Sequence, residues 1–511
     1  MLAQKADLAR PELYLSHDGS KVSFDYDADL RFSHRAPASF SLRTGSLLMG
    51  KDNSLAAPVT GNPSLKLPKS RQLAVANESN SYLYYDANEI RCIDKQGKKV
   101  WGRKIFEKVW AINISADRRV AVVTFNDGTI RWYRYSDGKE LVAFFPHPDR
   151  KRWVLWTPEG FFDHSPGGEE LIGFHLNRGK DREAAFVPIS RLYKSFYRPD
   201  LVAASFEGRD ISHYAKEINV SRILTTDSLP PQLRITSKEG TASRPEAEIS
   251  AEICDSGGGI GDVTLYLNDM PIAVESNGRG LKAVARQRVS ACYSFTRMLT
   301  LSNGANKISV MAYNRDNTIE SERASVTINH ASAYTTKPNL HILTIAVDKY
   351  RDGDLHLKYS KADATAVAAL LKKKSKPLFG KVSVHTLTDD QVTREQLAAT
   401  FDEIGKMVAR NDLFILFVAG HGITYTKDGS FYFLPVNFRY SQDEDIPRQG
   451  VSMDDFKKFL ARIQASKSRL MLDTCNSGSF AEAIASRGLA EKTAINKLTR
   501  AVGRHPIVAS S

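Results

Sequence analysis

The sequence predicts a multidomain protein: an N-terminal all-β region, a middle β-sandwich, and a C-terminal α/β domain with a mostly parallel sheet. Three observations carry this. Asp-Gly pairs punctuate β-rich runs in the first part of the chain. Alternation of apolar and polar residues returns between Gln232 and Asn329, and after Lys337-Pro338 buried strands alternate with helical patterns. With 511 residues, 42% of them hydrophobic, the chain is long enough for about three such domains.

In the first region, residues 1–205, Asp18-Gly19 precedes Lys21-Val22-Ser23-Phe24, Asp127-Gly128 joins Val120–Phe125 to Thr129–Tyr135, and Asp137-Gly138 follows. Asp-Gly accepts the left-handed backbone that tight hairpins need, so each pair marks a turn between strands. Ser16-His17-Asp18-Gly19 and Ser115-Ala116-Asp117-Arg118 read as the same unit, about two repeat lengths apart. Ile130-Arg131-Trp132-Tyr133 before Asp137-Gly138-Lys139 resembles the last strands of a WD-type propeller blade. About three or four such blades predict a propeller-like region, whole or partial. His164 and His175 lack carboxylates at ligand spacing and are assigned to packing or surface.

Leu229-Pro230-Pro231 marks a linker, and residues 229–330 then carry about seven short strands, the pattern of an immunoglobulin-like sandwich. Gly257-Gly258-Gly259-Ile260-Gly261 precedes the strand Val263–Leu267 and not a helix, and no Lys-Ser/Thr pair follows it. A phosphate loop is thereby excluded in favour of a turn or bulge.

Residues 338–511 form the α/β part. His341–Val347 is a buried strand, Ala362–Lys373 a helix, Val382–Leu387 a strand, and Thr393–Val408 a helix opened by Thr393 with Gln396 three residues on. Leu413–Val418 is a strand, Ser452–Ile463 a helix and Arg469–Leu472 a strand. Strands alternating with helices imply a mostly parallel sheet covered on both faces. Two segments stand just past such strands: Ala419-Gly420-His421-Gly422 and, roughly fifty residues on, Asp473-Thr474-Cys475-Asn476-Ser477-Gly478. Residues following adjacent parallel strands meet at the carboxyl edge of a sheet, so Cys475 and His421 are candidates for nucleophile and base.

Composition excludes other classes. The net charge of +13 is spread along the chain, and its one dense run, Lys372-Lys373-Lys374-Ser375-Lys376, reads as a solvated helix end. Without aromatic-basic alternation there is no specific nucleic-acid partner. Cys92, Cys254, Cys292 and Cys475 lack metal-ligand spacing. They give no disulfide framework, although a Cys254–Cys292 bridge within one β domain stays open, and a reducing, cytoplasmic compartment is the expectation. No apolar stretch approaches the ~18 residues of a membrane span, and the N-terminus lacks the apolar core of a secretory signal.

Residues 338–511 resemble the large-subunit part of caspase-like cysteine peptidases of the metacaspase and orthocaspase type, through five pieces in the family's order and spacing. These are Tyr359-Ser360-Lys361-Ala362-Asp363-Ala364, Leu387-Thr388-Asp389-Asp390, Ala419-Gly420-His421-Gly422, Tyr432-Phe433-Leu434-Pro435-Val436 and Asp473-Thr474-Cys475-Asn476-Ser477-Gly478. Trp153–Asp200 resembles the segment after the propeller in bacterial proteins that join WD repeats to such a protease. The resemblance implies a caspase-haemoglobinase-type fold and thiol acyl transfer by Cys475 and His421. It further implies an oxyanion hole from the N–H groups of Gly422 and Cys475, and an acidic pocket from Asp363 and Asp473 that selects Arg or Lys before the cut. No cofactor is required. Calcium is admitted at Asp454-Asp455 with Glu482, although Ser452 and Asp455 equally spell a helix cap. Protein or peptide substrates are the implied partners, with a further protein partner for the propeller-like or immunoglobulin-like module. The stretch His505–Ser511 resembles the next core strand, where the family continues with more sheet. An early end of the domain is therefore expected, and the alternative function is a non-catalytic binding or signalling scaffold.

Overall fold

The computed structural model describes residues 82–275 and 337–476 with short interruptions, residues 292–331, segments of the first 75 residues, Lys282–Ala283 and Ile507–Ala509. Two compact units divide the chain: Met1–His175 with Phe186–Ser190 and Phe196–Val220, and Leu176–Ala185 with Arg191–Ser195 and Ser221–Ser511.

In the first unit the described strands form successive antiparallel meanders. Leu13–Leu15, Lys21–Asp27, Arg35–Ser41 and Ser46–Met49 make one four-stranded sheet, and Leu73–Val75, Tyr82–Asp86, Glu89–Ile93 and Lys99–Lys104 a second. A third begins with Val109–Ile114, Val120–Phe125, Ile130–Arg134 and Glu140–Pro146, and Trp153–Trp156 and Phe162–His164 extend it to six strands. The repeat read from Ser16 and Ser115 recurs in the hydrogen bonds. Ser16 Oγ donates to Asp18 Oδ1 over 2.8 Å and Ser115 Oγ to Asp117 Oδ1 over 2.6 Å, and each serine N–H donates over 2.9 Å to the carbonyl five residues on. Gly128 (φ 83°) and Gly138 (φ 67°) adopt the left-handed turn conformation; Gly19 lies outside the described residues. His164 packs against Tyr197 with its Nδ1 2.8 Å from the Glu169 carboxylate, while His175 lies against Phe186.

In the second unit, residues after 231 first form two facing sheets. One holds Gln232–Ile235, Glu246–Cys254, Cys292–Thr300 and Lys282–Ala283; the other holds Gly240–Ala242, Ala324–His330, Gly304–Ala312, Val263–Leu267 and Met270–Glu275. Alternate residues of both, such as Ile249 and Ile253 against Leu265 and Val310, share one buried core. The glycine run is a turn: Gly257 and Gly259 have positive φ, and Asp255 Oδ1 accepts the N–H of each at 2.8 Å. Cys254 and Cys292 are direct cross-strand partners and are disulfide-bonded. This is the bridge that the sequence left open within one β domain. Among the described residues no helix is long and apolar enough to cross a membrane.

The α/β part runs β1 (Leu340–Ala346), α1 (Ser360–Ser375), β2 (Val382–Thr388), α2 (Arg394–Met407), β3 (Leu413–Tyr425), β4 (Ser430–Phe433), α3 (Asp445–Gln449), β5 (Val451–Ser452), α4 (Met453–Leu460), β6 (Lys467–Asn476) and β7 (Ile507–Ala509). β2, β1, β3, β6 and β7 are parallel neighbours in that order, and β4 with β5 adds an antiparallel branch at the end of β3. Every residue of β1 is buried, which explains its continuous apolar pattern. Thr393 caps α2, accepting the Gln396 N–H at 3.2 Å. Phe401 of α2 stacks on Phe459 of α4 over the sheet; each buried ring contributes about 1.5–3 kcal/mol. Ile507–Ala509 continues the sheet beside β6, as the resemblance of that stretch to a core strand implied.

Two boundaries differ from expectation. The apolar runs end at Val418 and Leu472, yet β3 continues to Tyr425 and β6 to Asn476. Pairing sustains both: β4 binds the last four residues of β3, and β6 follows β3 in register as far as Gly422. The candidate histidine and cysteine therefore lie within extended strands and not in loops after them.

Candidate active site

β3 and β6 run side by side with His421 the register partner of Cys475, Gly420 of Thr474 and Ala419 of Asp473. Neighbouring strands lie roughly 4.8 Å apart, so the backbones of the two candidate catalytic residues are adjacent.

The side chain of His421 is buried. Its backbone N–H donates to Tyr350 Oη at 2.8 Å, and its ring packs against the Tyr350 ring with centroids 5.1 Å apart. Its Nε2 lies 2.9 Å from the carbonyl oxygen of Leu355. A carbonyl can only accept, so the hydrogen-bond pattern assigns the proton to Nε2 and leaves the lone pair of the neutral ring on Nδ1. That is the tautomer a general base needs. Gly420 makes the arrangement possible. Its φ is 154°, and a Cβ there would stand 2.9 Å from Tyr350 Oη and 3.1 Å from the Phe433 ring. Any larger residue would push away the hydroxyl that holds the His421 N–H.

Tyr350 and Leu355 belong to the segment between β1 and α1, and that segment is anchored by Asp389 at the end of β2. One Asp389 oxygen accepts the N–H groups of Asp348 and Lys349, each at 2.9 Å, and the other accepts from Lys361 Nζ at 2.8 Å. Burial works against the Asp389 charge, but Lys361 and the two N–H donors outweigh it and hold the carboxyl below its ordinary range. A short turn, Gly353–Leu355, presents the Leu355 carbonyl, with Asp352 accepting the Asp354 N–H at its start.

Asp363 stands exposed in the first turn of α1, and Asp473 is half-buried on β6. Burial raises the Asp473 carboxyl above its ordinary range, and the negative charge of Asp363 raises it further. The structure thus brings the two candidate specificity carboxylates into one electrostatic environment, where a bound cation would relieve the repulsion.

The calcium candidates have other partners. Asp455 forms a capping box with Ser452, accepting its N–H at 2.9 Å and its Oγ–H at 2.8 Å, and also receives Arg394. Asp454 is 3.3 Å from Lys194 Nζ. Glu482 lies outside the described residues. Among the described residues no three His, Cys, Asp or Glu side chains group as a metal site. These carboxylates fit a helix cap and two ion pairs better than a calcium shell, which needs six to eight oxygens.

Sequence reasoning missed Tyr350, Leu355 and the anchoring role of Asp389. Leu355 acts through its backbone, which leaves no side-chain signal. Asp389 sits in a quoted motif, but its role becomes legible only with Lys361 beside it.

A parallel sheet with a histidine and a cysteine paired on adjacent strands near its carboxyl edge is the frame of a caspase-like site. Residues 340–505 match the family of the caspase domain, peptidase C14, and this part of the chain is a caspase-like cysteine peptidase domain. Among solved structures, protein GSU0716 from Geobacter sulfurreducens is similar at 17% identity and a TM-score of 0.23; the match covers 32% of this chain and 62% of that one. The chain thus spans less than two thirds of that protein's length. The CARDB domain of the PF1109 protein from Pyrococcus furiosus, solved in complex with di-metal ions, is similar at 14% identity and a TM-score of 0.16, covering 21% of this chain and all of that domain. No curated protein matches the chain.

Proposed function

We propose that the caspase domain is a cysteine endopeptidase that cleaves proteins after Arg or Lys, with Cys475 as nucleophile and His421 as proton carrier. The observation that carries this is the register of His421 beside Cys475, together with the Leu355 carbonyl that keeps the His421 lone pair on Nδ1. The Cys475 thiol gives its proton to Nδ1, and the thiolate attacks the scissile carbonyl carbon. As the C–N bond breaks, His421 passes that proton to the leaving amine. A water then attacks the thioester, its proton returning through His421 to the sulfur while the carboxylic acid departs. The N–H groups of Gly422 and Cys475 would hold the oxyanion, a donor of this kind being worth about 3–4 kcal/mol. Asp363 and Asp473 would receive the substrate guanidinium or ammonium by charge-assisted hydrogen bonds.

The other parts are read as accessory modules: residues 1–205 as a WD-type propeller-like region, supported by the recurring meanders and serine turns, and residues 229–330 as an immunoglobulin-like sandwich. Both would sense or recruit protein partners, and 338–511 would carry the chemistry. Labelling with an arginyl fluoromethyl ketone tests the reading. Covalent modification of Cys475, lost in Cys475→Ala and accompanied by cleavage of peptidyl-Arg over peptidyl-Asp substrates, is expected. Turnover of peptidyl-Asp alone would overturn the specificity, and unchanged turnover in Cys475→Ala the mechanism.

A further inference from the structure

Within the second unit, away from the Cys475–His421 edge, a cavity of about 230 Å³ lies between the sandwich and the peptidase sheet. Tyr266, Tyr313 and Arg323 line it from the sandwich side, Tyr432 and Lys457 from the peptidase side, with Lys194 beside them. None of these residues takes part in the proposed reaction.

The charges of the wall do not cancel. Its two carboxylates already have partners: Asp454 with Lys194 at 3.3 Å, and Glu320, which accepts from Tyr313 Oη at 3.0 Å. Among the described residues, Arg323 and Lys457 have no carboxylate within ion-pair distance. Arg323 lies 4.3 Å, and Lys457 Nζ 6.0 Å, from the centroid of the Tyr266 ring. Lys457 is only 7% exposed. The one carboxylate whose field reaches Lys457, Asp454, is already ion-paired with Lys194, so three cations share two carboxylates on this wall. A buried ammonium only partly balanced in this way is costly, because the interior screens and solvates it poorly. Lysines are seldom buried without full pairing, and one that lines a cavity marks it as a candidate anion site. Tyr313, kept protonated by burial and by Glu320, spends its one O–H on that carboxylate and offers the ligand its ring face.

We propose that this cavity binds a small organic anion, an aromatic or otherwise planar molecule carrying a phosphate or carboxylate. The oxyanion would sit between Lys457 and Arg323, and the planar part against the tyrosine rings, which prefer such faces. An engineered cavity of about 150 Å³ holds benzene, so this volume suits an occupant on the order of ten non-hydrogen atoms. The site is also close in the chain to the chemistry. Tyr432 belongs to β4 and is the register partner of Ile423, two residues after His421.

Calorimetric titration and thermal melting of the full chain test this, with phenyl phosphate and phthalate as probes for the two oxyanions and benzyl alcohol as the neutral control, at constant ionic strength. One-to-one binding of phenyl phosphate or phthalate with a raised melting temperature is expected, and none for benzyl alcohol. Lys457→Met and Arg323→Gln should each weaken it by about tenfold or more, with Lys457→Arg retaining most of it. Arg323 is exposed, so its variant leaves folding intact should Lys457→Met not fold. Absence of binding by both anions at millimolar concentration, or equal affinity in wild type and Arg323→Gln, overturns the proposal.

Discussion

Replacing Asp389 separates anchoring from chemistry, because its carboxylate binds the segment between β1 and α1 and not His421. Two backbone N–H groups and Lys361 converge on its carboxylate. A hydrogen bond to a charged group contributes about 1.5–3 kcal/mol. The Lys361 side chain is 44% exposed, so that ion pair adds only about 0–1 kcal/mol. Asp389 also has a φ of 45°, a conformation that Asp and Asn tolerate and alanine resists by roughly 1–2 kcal/mol. Asp389→Ala is therefore expected to destabilise the domain by about 3–5 kcal/mol, and Asp389→Asn, which keeps an oxygen for the N–H pair, by about 1–2 kcal/mol. The sign of the pH dependence follows from the depressed carboxyl. Its stabilising contribution is present above the ordinary carboxylate range and fades only as pH falls through the lower folded-state value. Urea denaturation of wild type and Asp389→Ala at pH 7 should thus differ by the full amount, and in strong acid the gap should narrow to the roughly 1–2 kcal/mol set by backbone strain. Equal stability of Asp389→Ala and wild type at pH 7, or a gap that persists unchanged below both pKa values, refutes the reasoning.

Three other changes report on the same domain and its neighbour. Asp473→Asn removes a carboxyl whose folded-state pKa is raised, so the charge costs stability once pH exceeds the unfolded-state value; the variant should melt higher than wild type at pH 7 while losing turnover of arginyl substrates. Gly420→Ala places a methyl 2.9 Å from Tyr350 Oη and should cut kcat/KM by about a hundredfold with the domain still folded by circular dichroism. Reducing the Cys254–Cys292 bridge frees a loop with a sequence separation of 38, and chain entropy sets the loss at up to about 4 kcal/mol, readable by urea titration with and without dithiothreitol.

What was legible in the sequence was periodic or carried by turns. The buried run of β1, the Thr393 cap and the turns at Asp127-Gly128 and Asp137-Gly138 appear where the pattern put them, because each depends on residues close in the chain. The ends of β3 and β6 were misplaced for the opposite reason. Residues 419–422 and 473–476 are too polar or too small to read as strand, and pairing to β4 and to each other keeps them extended. The Cys254–Cys292 bridge was left open by the sequence and could not be decided there, because direct cross-strand pairing of the two is a property of register. At the site, the histidine, the cysteine and the two carboxylates were readable as residue types, while the features that orient the histidine were a backbone carbonyl and a tyrosine hydroxyl.

Those orienting groups tie the proposed base and the proposed specificity pocket to one segment. Asp389 holds its start through the N–H groups of Asp348 and Lys349, and its end through Lys361. Between those anchors lie Tyr350 and Leu355, which position His421; two residues beyond the second anchor stands Asp363. One carboxylate therefore supports both the proposed proton carrier, His421, and one wall of the proposed acidic pocket, Asp363. A mutation that only lowered stability would leave the folded fraction with normal kinetics. Loss of this anchor should instead lower kcat, through a misaligned His421, and raise KM for arginyl substrates, through a displaced Asp363, with kcat/KM down about ten- to a hundredfold in the folded enzyme. Asp389→Asn keeps the first anchor and loses the ion pair at the second. It should raise KM with kcat nearly intact, and steady-state kinetics of the two variants side by side distinguish the two anchors.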